Sequence, residues 1–390
     1  MTFKILHITD LHLNPLTQIP QSRSEDYHEH VRKEWTSFAE VAKIEKADVI
    51  CISGDIFHLK NPRRYVSEDV LYYNELFDLL PCPVLLIPGN HDMQASAYEN
   101  INKNSPFRLF QKAGHPNLRD ISFDNVVFPA SIDHEVNQSN TDFMVAIYGL
   151  PYFPIHEYMI RARQFNEKIG ELDYGEEFPN LKICLGHCDA LPQDDIPLHW
   201  DYVAYKHLMD ELYNVDVLLL GHIHQSFPVW TQTNETTGRT QMVSKPWSFG
   251  RVVRDYFTST EVLEHQHIPS YAVIEIQCHG TPSITAQNTL ENKMLTVDIK
   301  YKQLPFFVPF EQAFLRESLI KQIDDSRKVS SFIAKLKEEF GTVDDAFTIA
   351  NPGDFLTKFD LQDLITKAKL ETYVDPVAVR NLIQHYLETG

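Results

Sequence analysis

The sequence predicts an α/β fold, and three observations support this prediction. Six short apolar runs, rich in Val, Ile and Leu, lie in the first 220 residues and are mostly bounded by Gly or Pro, as expected for strands that are buried on both faces. Segments with helical spacing of apolar residues lie between several of these runs. Strands that alternate with helices are typical of an α/β domain, and polar motifs that follow the strands are expected to line a binding crevice.

The predicted elements follow one another along most of the chain. The strands are residues 5–9, 49–53, 84–87, 143–148, 183–185 and 217–220, and the helices between them are residues 27–46, 68–80 and 202–213. Two further segments resemble strands without crossover helices and a third is extended, at residues 240–244, 271–276 and 283–302. Four helical patterns follow, at residues 310–323, 329–340, 360–369 and 376–387. We therefore place a domain boundary near residues 305–310.

Length and composition restrict the class of protein. A chain of 390 residues is long for one domain, which favours one large catalytic domain with additions. The five Cys residues form no metal-type repeat, which favours free thiols in a reducing cytoplasm. The N-terminus carries no secretory pattern, and no apolar run approaches the ~20 residues that a membrane span needs. We expect a soluble cytoplasmic protein.

The charge is strongly acidic and unevenly distributed. The formal net charge is −19, and 22 basic against 38 acidic residues precede residue 291. A protein that binds nucleic acid by charge alone is expected to have a basic face, so this acidity weighs against strong autonomous DNA binding. Two bound divalent cations would add positive charge where a phosphate must lie. The acidity therefore does not exclude phosphodiester chemistry.

Five polar motifs follow predicted strands, namely Asp10-Leu11-His12, Gly54-Asp55, Gly89-Asn90-His91-Asp92, Gly186-His187 and Gly221-His222-Ile223-His224. Side chains at i and i+2 of an extended segment point the same way, so the pairs within the first and last motifs can each face one metal. A carboxylate such as Asp55 can bridge two metals. The candidate metal ligands are Asp10, His12, Asp55, Asn90, His187, His222 and His224.

The types of residue in this set predict a catalytic metal site. Oxygen and imidazole ligands without thiolate suit Mn²⁺, Fe or Zn²⁺ in a catalytic site better than a structural zinc site. Two metals about 3.5–4 Å apart can activate a water and hold the attacking and leaving oxygens of a phosphoester. We expect two divalent ions, with Mn²⁺ as the first choice.

Six further residues are candidates for contacts with substrate or for catalysis. His91 follows the ligand Asn90 and is a candidate to protonate the leaving oxygen, with Asp92 orienting it. His58 lies three residues after Asp55 and can approach the substrate from another side. The segment from Lys245 to Arg251 is a candidate substrate loop, in which Lys245, Trp247 and Arg251 would lie near the phosphate and bases of a nucleic acid. A plain β-turn that packs one Trp explains the same segment equally well.

The ordered set of motifs resembles the calcineurin-like metallophosphoesterase superfamily over residues 1 to about 280. All seven candidate ligands match metal-ligand positions of that superfamily, and His91 matches its catalytic histidine. The resemblance implies a β-sandwich of two mixed sheets flanked by helices rather than one parallel sheet.

A finer resemblance is to the SbcD-type nucleases that repair DNA double-strand breaks. Gly54-Asp55-Ile56-Phe57-His58 is similar to a motif of that family, and His58 matches its second active-site histidine. Ile87 to Asp92 and Tyr148 to Tyr152 also resemble its motifs. The chain departs from the family after the last His motif, where Ser244-Lys245-Pro246-Trp247 replaces a Tyr-Pro-Gly-Ser turn.

The resemblance implies three regions and a partner. We expect a nuclease domain at residues 1–280, a capping or linking region at 281–309 and a helical region at 310–390 that binds an SbcC-like coiled-coil ATPase. The leading hypothesis is a Mn²⁺-dependent DNA nuclease. The alternative hypothesis is a phosphodiesterase that uses the same metal site to act on nucleotides or small diesters. A third hypothesis, from a different functional class, is a scaffold that has the fold but no catalytic activity. The sequence leaves a homodimer open and predicts no membrane partner.

Overall fold

The structure is a computed structural model that describes residues 2–19, 23–59, 66–93, 106–130, 143–171, 180–192, 202–235, 237–250, 268–279 and 294–313. The chain divides into two compact units, one of Met1–Val252 and His267–Pro309 and the other of Val253–Gln266 and Phe310–Gly390. In the second unit, the described residues form one short helix, Phe310–Ala313. The C-terminal helices predicted beyond residue 313 lie outside the described residues.

The first unit contains fourteen strands and five helices among its described residues. The strands are β1 Thr2–Ile8, β2 Val49–Ser53, β3 Val84–Ile87, β4 Leu118–Asp120, β5 Asn125–Ala130, β6 Phe143–Leu150, β7 Asn180–His187, β8 Ala190–Leu191, β9 Val203–Ala204, β10 Val217–Gly221, β11 Phe227–Thr233, β12 Thr240–Lys245, β13 Ser270–His279 and β14 Met294–Gln303. The helices are α1 Tyr27–Glu45, α2 Ser67–Phe77, α3 Pro106–Ala113, α4 Ile155–Glu171 and α5 Tyr205–Glu211.

Two six-stranded mixed sheets form the centre of this unit. The first has the order β14-β13-β1-β2-β3-β4 and the second has the order β11-β12-β10-β7-β6-β5. Within the first sheet β1 to β4 are parallel, and β13 and β14 are antiparallel additions. Within the second, β6, β7, β10 and β12 are parallel, and β5 and β11 are antiparallel at the edges. Both sheets therefore bring several carboxyl ends of parallel strands to one edge.

Three apolar clusters hold the layers together. One cluster combines side chains of both sheets, such as Ile5 and Val49 from the first and Ile183 and Leu219 from the second. A second cluster packs α1, α2 and α3 against the first sheet, and a third packs α4 and α5 against the second sheet. The unit is thus a β-sandwich with helices on its two outer faces.

This architecture confirms the two mixed sheets that the resemblance implies. The alternation of strands and helices, taken alone, predicts a single parallel sheet, and that prediction is wrong. All six apolar runs form strands, as β1, β2, β3, β6, β7 and β10, and the three predicted helices form α1, α2 and α5. The sequence prediction missed α3 and α4 and the strands β4, β5, β8, β9 and β11. Apolar runs that are buried on both faces carry no signal for which of two sheets they join.

Helix α1 shows how sequence spacing builds the outer layer. Its buried face includes Trp35, Phe38 and Ala42, which recur at the spacing of an amphipathic helix. The Trp35 indole N–H donates to the Leu76 carbonyl at 2.6 Å, and this bond ties α1 to α2. The helix ends at Glu45 and is capped by Lys46, whose φ of 55° is left-handed. In the described part of the chain, every helix is too short or too polar to cross a bilayer.

Because the two sheets approach closely at Gly221, adding one methyl group there should strongly lower the stability of the fold. A Cβ at Gly221 would overlap the Ser53 carbonyl oxygen and contact Thr9 Oγ1 and His187 Nδ1. We expect Gly221→Ala to lower the free energy of unfolding by about 2–3 kcal/mol, because overpacking forces the backbone apart. Urea unfolding measures this change.

The matched control is Gly238→Ala, where the Cβ would meet open space and only the positive φ of 67° opposes the substitution. This variant should lose only the roughly 1–2 kcal/mol that a left-handed backbone costs an L-amino acid. Equal stability of the Gly221→Ala protein and the unmodified protein would contradict the close approach.

Candidate metal centre

The candidate ligands lie at the carboxyl ends of strands from both sheets. Asp10 and His12 follow β1, and Asp55 follows β2. The loops after these strands pair with each other, because Asp10 N donates to the Gly54 carbonyl at 3.1 Å and His12 N donates to the Asp55 carbonyl at 2.9 Å. This pairing sets the three side chains side by side.

Ser53 joins the two sheets directly beneath these ligands. Its hydroxyl donates to the Leu219 carbonyl of β10 at 2.8 Å. Its carbonyl accepts a hydrogen bond from His187 Nδ1, at the end of β7, at 2.7 Å. The bonds place His187 and the loop after β10 opposite Asp55. Because His187 Nδ1 donates to a carbonyl, its Nε2 is the nitrogen left to bind a metal.

The structure brings the predicted ligands into two groups. Asp10, His12 and His224 form one group, and Asp55, His187 and His222 form the other, with all donor atoms of each group within 4.8 Å of one another. The Asp55 carboxylate belongs to the second group and also lies close to the first. Its Oδ2 is 3.7 Å from His12 Nε2 and its Oδ1 is 3.4 Å from His187 Nε2. One carboxylate therefore reaches both groups, as a bridging ligand must.

The donor atoms fit two divalent cations. His12 Nε2 and His224 Nε2 are 2.8 Å apart, and the Asn90 oxygen lies 3.1 Å from His222 Nδ1 and 3.3 Å from His187 Nε2. Each of these atoms can donate a lone pair to a cation, and their short separations would let one cation contact the members of each group. Imidazole nitrogens with carboxylate and amide oxygens suit Mn²⁺, Fe or Zn²⁺.

Four of the candidate ligands have strained backbone conformations. Asp10, His12, Asp55 and His222 have φ angles of 53°, 49°, 50° and 93°, in a region that residues other than Gly rarely adopt. They make up four of the six positive-φ residues other than Gly in the described chain. Strain of this kind persists where the surrounding structure fixes it, and it concentrates at functional sites.

Asp55 is fully buried and its charge depends on the surrounding histidines. Burial raises the pKa of its carboxyl, but His187, His91 and His12 outweigh burial and hold that pKa well below its usual value. Burial lowers the pKa of His187, yet the Asp55 carboxylate raises it to about 9. Since a metal displaces the His187 proton, metal affinity should rise with pH up to about pH 9.

His58 and His91 lie beside the first group. Their rings are stacked with centroids 5.4 Å apart, and the His91 ring is 4.9 Å from the His12 ring. His91 Nδ1 donates to the His58 carbonyl at 2.6 Å, and His91 N donates to Asp55 Oδ1 at 2.8 Å. These contacts fix the position of His91 next to the bridging carboxylate.

Asp92 holds the backbone beneath this histidine pair. Its buried carboxylate accepts hydrogen bonds from the amides of Ile56, Phe57 and Gly89 at 3.0, 2.8 and 2.8 Å. Burial and the nearby Asp55 raise the pKa of Asp92 to about 7, although the three amides lower it. Asp92 thus joins the turns that carry Asp55 and His91, whereas the sequence predicted that it orients the His91 ring.

The predicted substrate loop has a different arrangement from the expected one. The Lys245 side chain is only 2% exposed, and its ammonium donates to the Pro246 carbonyl at 2.9 Å and lies 3.7 Å from Asp10 Oδ2. Lys245 therefore packs behind a candidate ligand and does not reach outward towards a phosphate. Trp247 is half-buried, and Arg251 lies outside the described residues.

The sequence analysis missed two residues that contact the ligands. Asp189 Oδ1 is 2.7 Å from His222 Nε2, which leaves His222 Nδ1 for a metal. Tyr152 places its ring 5.4 Å from the His222 ring and 6.0 Å from the His187 ring. Asp189 follows His187 by two residues, so the spacing that paired Asp10 with His12 offered a signal. Tyr152 ends the segment from Tyr148 that resembles an SbcD-type motif, but that resemblance assigned it no role.

Because Asp55 lies close to both groups of candidate ligands, removing its charge should affect the binding of both metals. We expect Asp55→Asn to lose both metals at concentrations that saturate the unmodified protein, because the neutral amide cannot compensate two cations. Mn²⁺ binding followed by calorimetry measures this loss. Asp216→Asn is the control, since Asp216 is also a buried carboxylate but pairs with Arg239. Two metals at full occupancy in Asp55→Asn would contradict the bridging position.

Comparison with known structures finds similar proteins at low identity. YfkN, a calcineurin-like phosphoesterase from Bacillus subtilis, gives a TM-score of 0.43 at 14% identity and covers 84% of this chain and 97% of that chain. The protein TT1561 of Thermus thermophilus gives a TM-score of 0.36 at 14% identity and covers 64% of this chain and 90% of that chain.

Comparison of sequences finds a relative and a family. The SbcD component of the SbcCD nuclease from Staphylococcus saprophyticus is 25% identical over 241 residues, which cover 58% of this chain and 57% of that protein. This chain thus spans little more than half the length of that relative. The family profile described as calcineurin-like phosphoesterase matches residues 3–226, more than half of the chain and all seven candidate ligands. The chain therefore belongs to the calcineurin-like phosphoesterase family.

Proposed function

We propose that this chain is a Mn²⁺-dependent DNA nuclease of the SbcD type. The observation that carries the proposal is the pair of Asp and His groups that share Asp55, with His91 and His58 beside them. Members of the family hydrolyse phosphoesters with divalent metals. The finer choice of a DNA substrate rests on the resemblance of the segment from Gly54 to His58 to the SbcD motif and on the similarity to a component of the SbcCD nuclease.

The residues of the site would have distinct roles in phosphodiester cleavage. Asp10, His12 and His224 would hold one metal, and His187, His222 and Asn90 the other, with Asp55 between them. Two such metals supply a nucleophilic water and charge stabilisation at the phosphate. Mn²⁺ is our first choice because oxygen and imidazole donors make up the whole set.

His91 would protonate the leaving oxygen. Its Nδ1 donates to the His58 carbonyl, so Nε2 is the ring nitrogen that would carry the transferred proton. The bond to His58 also prevents the ring from rotating away from the substrate, which is the pre-organisation that general acid catalysis needs. His58 positions His91 through its carbonyl, and its own ring extends the surface beside the reacting phosphate.

The acidic charge of the first 290 residues favours a second candidate function. With 22 basic and 38 acidic residues there, a long polyanion meets more repulsion than a small diester does. A phosphodiesterase that acts on nucleotides or other small diesters would use the same metal site. The two functions differ in the size of the substrate rather than in the chemistry.

We also propose that residues 1–280 form the nuclease domain, residues 281–309 a capping or linking region and residues 310–390 a docking region for an SbcC-like coiled-coil ATPase. Apolar residues such as Leu315, Leu319 and Leu336 recur at helical spacing in the last region. A partner ATPase would also supply basic DNA contacts, which the excess of acidic residues in the catalytic domain disfavours.

A cleavage assay tests the function directly. We expect the purified protein with Mn²⁺ to cut single- or double-stranded DNA, and we expect His91→Gln to reduce the rate by about 10²–10⁴-fold while both metals stay bound, because a general acid is lost. His115→Gln is the control, since His115 pairs with Asp78 away from the site.

Two results would change this conclusion. Rapid turnover of small phosphodiesters without cleavage of any DNA would support the second candidate function. Loss of metal from His91→Gln would show that His91 is a ligand rather than an acid.

Truncation after Pro309 tests the docking region. We expect the shortened protein to keep Mn²⁺ binding and hydrolysis of a small diester, because the candidate ligands all precede residue 225, and to lose co-purification with a co-expressed SbcC-like ATPase. A truncated protein that is insoluble and free of metal would show that the tail belongs to the catalytic core and would contradict the docking role.

A further inference from the structure

Tyr152 is an aromatic residue that lies against two candidate ligands. It follows β6 by two residues, at the edge of the sandwich where the ligand loops lie. Its ring is inclined at 34° to the His222 ring with centroids 5.4 Å apart, and at 74° to the His187 ring with centroids 6.0 Å apart. The Tyr152 ring therefore forms one wall of the group of Asp55, His187 and His222.

The backbone around Tyr152 is held on both sides. The Tyr152 N–H donates to the Pro88 carbonyl at 3.4 Å, at the start of the turn that carries Asn90. The next residue, Phe153, is fully buried in the cluster that packs α4 and α5 against the second sheet. The fold thus fixes the backbone of Tyr152 before any substrate binds, which lowers the entropic cost of a contact between its side chain and a ligand.

Core packing does not account for this ring. Tyr152 is half-buried, whereas Pro151 and Phe153 on either side of it are buried. Tyr152 belongs to none of the three apolar clusters, although a tyrosine ring carries a large apolar area that favours burial. A partly exposed aromatic ring beside the candidate ligands is available to a molecule that binds at the metal site.

The chemistry of such a ring suits a nucleobase. Every base has a π-face that can stack on an aromatic side chain, whatever its sequence. Stacking on a neutral base needs no positive charge, so the excess of acidic residues before residue 291 does not oppose it. Bases within a duplex are already stacked on their neighbours, so the contact needs a base that is unpaired and turned out of the stack.

We propose that Tyr152 is a specificity-determining residue whose ring stacks on the nucleobase next to the phosphate held at the group of Asp55, His187 and His222. The proposal rests on the metal site of the proposed function and names its substrate class, which is nucleotides with an unpaired base, as in single-stranded DNA or a small nucleotide diester. A simple alkyl diester has no base and would gain nothing from this ring.

Binding of two compounds that differ only in the base tests the contact without any need for turnover. Thymidine 5′-monophosphate and deoxyribose 5-phosphate each carry one phosphate, and calorimetry measures their affinities for the full chain loaded with Mn²⁺. We expect the nucleotide to bind about tenfold more tightly, because its base can stack. Equal affinities, or no binding of the nucleotide, would overturn the inference.

Two variants assign this preference to the ring. Tyr152→Leu should lose the tenfold preference for the nucleotide, whereas Tyr152→Phe keeps the ring and should retain most of it. Tyr213→Leu is the control, because Tyr213 is an exposed tyrosine that precedes the amino end of β10, whereas the ligands follow the carboxyl end of that strand. This control should leave both affinities unchanged.

A purely structural role for Tyr152 would give a different result. If the ring only supports His222, Tyr152→Leu would weaken Mn²⁺ binding and would weaken both compounds equally, and the inference would fail. Loss of the preference in Tyr152→Phe would also contradict stacking.

Failure of the proposed function would be seen separately. A protein that prefers the nucleotide through Tyr152 but cuts no DNA would keep the inference and contradict the nuclease. A protein that binds no Mn²⁺ would overturn the proposed function, and the inference would fall with it.

Discussion

The close approach of β2, β7 and β10 at their carboxyl ends is the constraint on which the rest of the site depends. Ser53 accepts the His187 ring N–H with its carbonyl and donates its hydroxyl to Leu219. These bonds join the two sheets where the apolar layer between them ends. Gly221 permits the contact because any side chain there would overlap the Ser53 carbonyl. Without this junction, ligands from the two sheets would not face one another.

The junction also explains how a buried carboxylate is tolerated. Asp55 is 1% exposed, and an isolated buried charge costs far more than a surface charge unless it is paired. His12 and His187 lie on its two sides, and His91 N donates to it from the next loop. The strained backbones of Asp10, His12 and Asp55 are fixed by the pairing between the loops after β1 and β2. A site held in this way needs little rearrangement to accept cations.

The sequence predicted the strands well and marked the polar residues that the structure brings together, because both depend on local patterns. Apolar runs followed by Gly-Asp or Gly-His mark a buried strand and its polar end, and the structure places these ends together. The division into two sheets was predictable only through the family resemblance, since an apolar run does not reveal its neighbour. The inward turn of Lys245 was not predictable, because it depends on Asp10, which is distant in sequence and follows a strand of the other sheet. The spacing of Asp189 from His187 offered a local signal, but the sequence does not reveal that Asp189 contacts His222. Asp92 illustrates the same limit, as its partners are amides of two separate turns.

The central claim is that two cations share Asp55 between the two groups of ligands. Anomalous diffraction from crystals soaked in Mn²⁺ tests this claim most directly, since it locates each ion independently of activity. The account predicts two peaks about 3.5–4 Å apart, one on either side of the Asp55 carboxylate. A single peak at saturating Mn²⁺, or two peaks of which neither contacts Asp55, would contradict it.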